Sequence, residues 1–276
     1  MNPHNTQPIS PFALVSSLWR NRGLITQMTQ REVLGRYKGS VMGLAWSFFN
    51  PILMLSVYTF VFSVVFKSRW GMTGNESKTQ FAVVLFVGMI IHGLFAEVLN
   101  RAPSLILSNT NYVKKVVFPL EILPWVSMGS TLFHALVSLI VLLLMLLVVH
   151  SSLNWTMVFF PLVLSPVILL TIGISWFLAS LGVFLRDVGQ FVGILVTAVL
   201  FMSAIFYPPS ALPESVRSYV LLNPLAFAVE QTRTVVIRGG VPDWWRLTAY
   251  LAASVVVAWF GFVWFQKTRS GFADVL

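Results

Sequence analysis

The stretch ILPWVSMGSTLFHALVSLIVLLLMLLVVHSSLNWTMVFFPLVLSPVILLTIGISWFLASLGVFL, residues 122–185, contains no Asp, Glu, Lys or Arg. A membrane-spanning helix needs about 20 apolar residues at a rise of about 1.5 Å each. The stretch is therefore too long for a single crossing, and the polar run at 150–155 divides it in two. These residues predict two spans, 122–149 and 156–185.

The composition of the whole chain agrees with a membrane protein. Of 276 residues, 57% are apolar and 10% are charged, and the mean hydropathy is +0.82. Soluble domains carry roughly 25% charged residues, so a soluble fold of this size would lack the polar surface to cover itself. A bilayer removes that requirement because lipid solvates an apolar exterior. We therefore predict one membrane domain.

Four further apolar segments predict a total of six transmembrane helices. They cover 41–66, 81–99, 188–207 and 247–266. The fold class is thus all-α integral membrane, with a cytoplasmic segment at 1–40 and a six-span domain at 41–276.

Two segments do not read as simple spans. Residues 12–38 mix apolar side chains with Arg, which predicts an amphipathic helix lying in the membrane interface. The Pro- and Gly-rich segment 208–246 holds an apolar stretch too short to span. It predicts a re-entrant pair of short helices at the outer surface before the last span.

The distribution of Lys and Arg predicts the orientation. With the N-terminus inside, the inner segments hold more of these residues than the outer ones, and cytoplasmic loops are enriched in them. Six crossings then place both termini in the cytoplasm. We attribute the net charge of +9 to this bias and to anionic lipid head groups rather than to nucleic acid.

The sequence carries no pattern typical of an enzyme, so we predict no catalytic residue. It has no Cys, none of its four His has a second ligand at metal-binding spacing, and it has no phosphate-binding Gly-Lys-Ser or Gly-Lys-Thr loop. We predict no metal site and no cofactor bound by this chain. If ATP drives the protein, another chain binds it. His92 and His134 lie in spans, and we interpret both as neutral groups hydrogen-bonded between helices.

Ion-coupled carriers place charged groups near the middle of the membrane, whereas these spans are almost free of charge. Glu97 and Arg101 are four residues apart near one end of the second span, which predicts a helical salt bridge. The first span is rich in aromatic residues, and its candidates for lining a pathway are Trp46, Phe49, Tyr58 and Phe62. For Trp46 an interfacial position is the alternative.

Several motifs together resemble the permeases of type-2 ABC exporters of O-antigen, capsule and teichoic acid. The run REVLGRYKGS at 31–40 leads into GLAW at 43–46 and Asn50-Pro51. NYVKK at 111–115 precedes Phe118-Pro119, and FLRDVGQ follows at 184–190. The segment from Tyr207-Pro208 to Leu222-Asn223-Pro224-Leu225 also resembles the family. Each motif is short, and the specificity lies in their shared order over about residues 12–240.

The resemblance implies a homodimeric permease of the bacterial inner membrane. It also implies two copies of a separate ATPase subunit, which binds ATP and Mg²⁺, and a polyprenyl-diphosphate-linked glycan as substrate. The loop at 109–115 would then dock on the ATPase as a coupling helix, through Asn109, Asn111, Tyr112, Lys114 and Lys115. A plain cytoplasmic turn is the alternative for this loop.

Arg36 and Lys38 stand just before the first span, where cations would meet phosphate oxygens through charge-assisted hydrogen bonds. With Tyr37 between them, they are the predicted contacts to the lipid-diphosphate end, and ordinary topology anchoring is the alternative. Two other functions remain open. One is export of a drug or lipid by the same superfamily, and the other is a polyprenyl-dependent glycosyltransferase, which would require acidic residues such as Asp187 and Glu121.

Overall fold

A computed structural model describes residues 9–61, 78–114, 118–150, 153–208 and 211–276 of the chain. Within these ranges the regular structure is helical and contains no strand. The α-helices are α1 (Pro11–Arg20), α2 (Arg22–Arg36), α3 (Trp46–Tyr58), α4 (Lys78–Arg101), α5 (Thr110–Lys114), α6 (Leu123–His150), α7 (Phe160–Phe184), α8 (Val188–Met202), α9 (Glu214–Leu222), α10 (Pro224–Arg233), α11 (Trp244–Thr268) and α12 (Phe272–Val275).

Five helical segments among the described residues are long and apolar enough to cross a membrane, which confirms the all-helical membrane class. They are Gly43–Val61, Phe81–Ser104, Leu120–Val148, Trp155–Phe184 and Trp244–Val275. The end of the predicted first span, 62–66, lies outside the described residues.

The predicted fifth span at 188–207 contains a helix of only 15 residues, α8. Ser203 ends this helix, and Ala204 follows with a φ of 52°, a conformation that a helix cannot continue. A helix of this length rises about 22 Å, which is less than the hydrocarbon thickness of about 30 Å. The helix is therefore shorter than the predicted fifth span, and among the described residues it is not one of the five helices long enough to cross a membrane.

The N-terminal segment forms two helices instead of one. The Ser10 hydroxyl caps α1 by accepting from the Ala13 backbone N–H at 3.1 Å. The break falls at Asn21, whose side chain donates to the Ser17 carbonyl at 2.8 Å. Helix α2 then packs against α6, where Thr29 lies so close to Gly129 that a Cβ there would stand 2.7 Å from the Thr29 hydroxyl.

Glu121, just before α6, joins three distant parts of the chain. Its carboxylate accepts from the Ser17 hydroxyl at 2.8 Å and pairs with Arg269 at 2.7 Å. Its backbone carbonyl accepts from the indole N–H of Trp176 at 2.9 Å. Because Glu121 is only 7% exposed, these partners replace the water that a carboxylate would otherwise require.

The segment predicted to hold two short helices does so, as α9 and α10. Asn223 separates them and caps α10 by accepting from the Leu225 backbone N–H at 3.0 Å. Its amide nitrogen also donates to the Met202 carbonyl at 3.1 Å. The cap therefore also fixes the start of α10 against the end of α8.

Arg233, at the end of α10, is 1% exposed and is held by backbone carbonyls. Its guanidinium donates to Val84 at 3.2 Å, Ala204 at 3.0 Å and Ile205 at 3.1 Å. Burial lowers the pKa of Arg233 to about 10, which leaves it a cation at neutral pH. These bonds attach α10 both to α4 and to the residues that follow α8.

Helices α7 and α11 cross at a contact that only glycine permits. A Cβ on Gly261 would collide with the Gly173 carbonyl oxygen, and a Cβ on Gly173 would stand 2.7 Å from the Ala258 backbone. Small residues at such a crossing allow two helix backbones to approach closely, which is a common means of association in membranes.

We predict that Gly261→Ala lowers the melting temperature of the detergent-solubilised protein. The added methyl overpacks the crossing at a cost of about 1–3 kcal/mol. The matched control is Gly193→Ala in α8, where a Cβ meets no atom within 4 Å. There, removing a helical glycine should stabilise the protein by about 0.5–1 kcal/mol. Equal shifts in both variants would contradict the close crossing.

We also predict that Glu121→Gln destabilises the protein through the loss of charge opposite Arg269. Removing one member of a fully buried pair costs roughly 3–5 kcal/mol, and the 20% exposure of Arg269 places this case at the lower end. The control is Asp243→Asn, whose pair with Arg246 is exposed and is worth about 0–1 kcal/mol. Thermal unfolding of both variants at neutral pH measures the difference, and comparable losses would contradict the role of Glu121.

Candidate functional site

A cavity of about 370 Å³ opens where α2, α3, α4 and α6 meet. We call it the α3 cavity. Its volume lies within the roughly 300–1,000 Å³ of small-molecule sites. It is lined by Arg36, Tyr37, Trp46, Ser47, Asn50, Pro51, Met54, Tyr58, Phe86, Met89, Ile90, Glu97, His134 and Ser138.

Four of the residues predicted from the sequence line this cavity together. Arg36 and Tyr37, predicted as contacts to a diphosphate, stand on its wall with Trp46 and Tyr58, which were predicted to line a pathway. The residues predicted to bind a diphosphate and those predicted to line a pathway therefore share one cavity. Lys38, the third residue predicted to contact the diphosphate, is exposed and does not line the cavity.

The spacing of the residues along α3 explains which aromatic side chains reach the cavity. Trp46, Asn50, Met54 and Tyr58 recur every fourth position, which places them along one face of a helix. Phe49 falls off this face; it is 46% exposed and packs against the Trp46 ring at 6.4 Å between centroids. Phe62, the fourth predicted aromatic, lies outside the described residues.

The connection between α2 and α3 depends on two glycines. Gly39 has a φ of 86° and Gly43 a φ of 50°, values that side-chain-bearing residues rarely adopt. Successive turns follow, with backbone hydrogen bonds from Ser40 to Tyr37 at 3.1 Å and from Gly43 to Ser40 at 3.2 Å. The turns bring Trp46, at the start of α3, to the same cavity that Arg36 lines.

Tyr37 and His134 form a polar pair on the cavity wall. The Tyr37 hydroxyl lies 3.3 Å from Nδ1 of His134. Burial raises the pKa of Tyr37, which the Arg36 charge lowers and the Glu97 charge raises further, so its hydroxyl stays protonated at neutral pH. His92 similarly bonds to the Val196 carbonyl at 3.1 Å. Both histidines thus join separate parts of the chain, as predicted.

Arg36 is paired with Glu97, a contact that the sequence did not predict. The two side chains form an ion pair between α2 and α4, and Arg101 forms a second such pair with Glu32. The predicted salt bridge between Glu97 and Arg101 is confirmed at 3.7 Å. These four residues, which we call the ion chain, run Glu32, Arg101, Glu97, Arg36. An anion that binds Arg36 would have to compete with Glu97.

A second cavity of about 310 Å³ lies at the other end of the ion chain. We call it the α5 cavity. Its lining includes Glu32 and Arg101 from the ion chain and Asn109 and Tyr112 from the predicted coupling loop. The structure therefore brings the predicted coupling loop next to residues that extend toward the α3 cavity.

The predicted coupling loop, residues 109–115, contains the short helix α5, Thr110–Lys114. The Tyr112 ring stacks on Phe118 at 4.4 Å with an interplanar angle of 11°, and the Asn109 amide donates to the Leu105 carbonyl at 2.9 Å. Asn111 and Lys114 are exposed. Two of the predicted positions thus anchor the helix and two face outward. Lys115 lies outside the described residues.

Glu121 and Asp187, the acidic residues named above for a glycosyltransferase, lie at neither cavity. Glu121 is engaged by Ser17 and Arg269, and Asp187 is an exposed residue preceding α8. Neither residue lines the α3 cavity or the α5 cavity. The geometry therefore gives no support to this alternative.

Comparison with known proteins gives consistent matches along the chain. Residues 23–237 match the family described as ABC-2 type transporter. The chain is 30% identical over 263 residues to the O-antigen export system permease protein RfbA of Myxococcus xanthus, covering 95% of this chain and 98% of that protein. It is 25% identical over 255 residues to RfbA of Klebsiella pneumoniae, covering 92% of this chain and 95% of that protein.

A relative with a different printed function is similar at a comparable level. The polysialic acid transport protein KpsM of Escherichia coli is 26% identical over 246 residues, covering 87% of this chain and 90% of that protein. Every residue that lines the α3 cavity or the α5 cavity falls within the segment matched by the family.

Proposed function

The chain belongs to the ABC-2 type transporter family, and we propose that it is the permease of an ATP-driven polysaccharide exporter. The substrate is a polyprenyl-diphosphate-linked glycan, of which O-antigen is the best-supported kind. Support comes from relatives named for O-antigen export and polysialic acid transport. The protein resides in the bacterial inner membrane with both termini in the cytoplasm.

The observation that carries this proposal is the make-up of the α3 cavity. One wall presents Arg36 and Tyr37, and the face of α3 presents Trp46 and Tyr58. A lipid diphosphate needs a cation near the membrane surface, and a guanidinium can donate two parallel hydrogen bonds to phosphate oxygens. Aromatic faces beside it suit the sugar rings that follow the diphosphate.

Lys38 contributes a second positive charge outside the cavity. It is exposed and lies two residues beyond Arg36, so it attracts an anionic head group before that group reaches Arg36. The attraction between solvent-exposed charges is screened within about 10 Å at ordinary ionic strength. Lys38 therefore acts on lipids that already lie at this surface, and Arg36 makes the contact inside.

Energy for transport comes from a separate ATPase, which binds ATP and Mg²⁺. In this arrangement two copies of the permease assemble with two copies of the ATPase, and α5 is the element that docks on it. The anchored Tyr112 gives α5 a fixed position, while Asn111 and Lys114 remain available for contact. A rigid, exposed helix is suited to transmitting a displacement from a soluble partner.

We predict that replacing Arg36 and Lys38 together with Ala impairs export of the lipid-linked glycan. Loss of a charge-assisted contact to phosphate should weaken engagement by about 1.5–3 kcal/mol. Surface glycan is measured beside the abundance of the permease in the membrane for each variant.

The matched control replaces Arg186 and Lys267 with Ala. Both are exposed cations on predicted cytoplasmic segments, and neither lines the α3 cavity. The control should export normally. Normal surface glycan in the Arg36 and Lys38 variant, at normal abundance of the permease, would contradict the proposed phosphate contact. It would leave topology anchoring as the role of these two cations.

The docking of α5 is tested by crosslinking, since the chain has no Cys and an introduced thiol is unique. With a short reagent that joins a thiol to a lysine, Asn111→Cys should crosslink to the ATPase subunit. The control is Thr248→Cys, which is exposed on α11 near its first turn. Equal yields from the two positions, or none from Asn111→Cys, would overturn the assignment of α5.

A further inference from the structure

The ion chain connects two cavities that have no lining residue in common. Arg36 and Glu97 line the α3 cavity, whereas Glu32 and Arg101 line the α5 cavity. The α5 cavity is also lined by Asn109 and Tyr112, next to or within α5. A path of charged contacts therefore leads from the proposed substrate site to the cavity that the proposed docking helix also lines.

Glu97 lies between two arginines and is closer to Arg36 than to Arg101. Its Oε1 atom is in close contact with Arg36 and lies 3.7 Å from Nη1 of Arg101, which is too long for a hydrogen bond. That same Nη1 is buried and has no hydrogen-bond partner among the residues that the structure describes. Arg101 thus has an unused donor 3.7 Å from a carboxylate that is paired with another cation.

The four side chains can exchange partners without unfolding the region. Each is between 23% and 36% exposed, and ion pairs with this access to water are weak. Because the pairs join α2 to α4, a change of partner also changes how α2 is held. A stronger anion at one end of the chain is sufficient to redistribute the contacts.

We propose that Glu97 is a switch that changes from Arg36 to Arg101 when a diphosphate binds in the α3 cavity. The phosphate oxygens take the Arg36 guanidinium, the released Glu97 carboxylate takes Nη1 of Arg101, and Arg101 is then shared between Glu97 and Glu32. The pairing of Glu32 loosens beside α5, so the ATPase receives a signal that substrate is present. The inference rests on the proposed function and adds its regulation.

Arg101 is on this account a positioning residue, because it touches neither the substrate nor ATP. Its role predicts a separation that a purely structural brace does not predict. Removal of its charge should leave basal ATP hydrolysis intact and should weaken diphosphate binding without abolishing it, because Glu97 loses its second partner. It should also abolish the response of hydrolysis to the diphosphate.

The experiment uses the full complex of permease and ATPase in nanodiscs, with geranyl diphosphate as the probe. Two quantities are measured, the affinity for the probe and the rate of ATP hydrolysis with and without it. The wild-type complex should bind the probe and hydrolyse ATP faster in its presence. Arg101→Gln should still bind the probe, more weakly because Glu97 then has no second cation to pair with, and should lose the stimulation even at saturating probe. Arg101→Lys should retain the stimulation because the cation remains.

A charge-swapped variant, Glu32→Arg with Arg101→Glu, separates the switch from a brace. The swap restores an ion pair between α2 and α4, yet it places a carboxylate where Glu97 needs a cation. We expect this variant to recover thermal stability relative to Arg101→Gln and to remain without stimulation.

Each outcome bears on one of the two proposals. Stimulation in Arg101→Gln or in the charge-swapped variant would overturn the switch and leave the permease assignment intact. Loss of probe binding in Arg101→Gln would also overturn it, since Arg101 would then support the site itself. A wild-type complex that neither binds geranyl diphosphate nor responds to it would instead overturn the proposed diphosphate site.

Discussion

A hydrocarbon interior provides no water for a charge, so every ionised group in a spanning segment has to be paired or moved to its end. The structure obeys this constraint throughout. Helices α6 and α7 carry no Asp, Glu, Lys or Arg, and the charges of α4 lie in its last turns or, as with Lys78, at its first residue. The ion chain forms where α2 meets the end of α4, because there the charges are near water and near each other. The α3 cavity begins at the same level, so the place that tolerates charge is also the place that can receive a charged substrate.

Much of the helical framework could be predicted because hydropathy is a local property. The stretch 122–185 gave two spans that agree closely with Leu120–Val148 and Trp155–Phe184. The helix in the predicted fifth span ends earlier than predicted, because hydropathy gives no sign of the turn after Met202, where Ala204 takes a positive φ. The division of the N-terminal segment at Asn21 was missed for a similar reason, since one polar residue in a mixed sequence carries little periodic signal.

The candidate site was predictable in part. Trp46 and Tyr58 could be chosen because the first span is rich in aromatic residues. They are twelve positions apart, which is three steps of four residues, and residues at such steps share one face of a helix. The partner of Arg36 could not be found in this way, because Glu97 is 61 positions away in the sequence. The same holds for Tyr37 and His134, separated by 97 positions. Contacts of this range depend on how helices pack, and neither composition nor spacing encodes that directly.

Arg233 has a consequence for how the pair α9 and α10 can move. Three backbone carbonyls from two other parts of the chain converge on one guanidinium. Bonds that share a donor group are given up together, so displacement of α10 meets a single high barrier instead of a series of small ones.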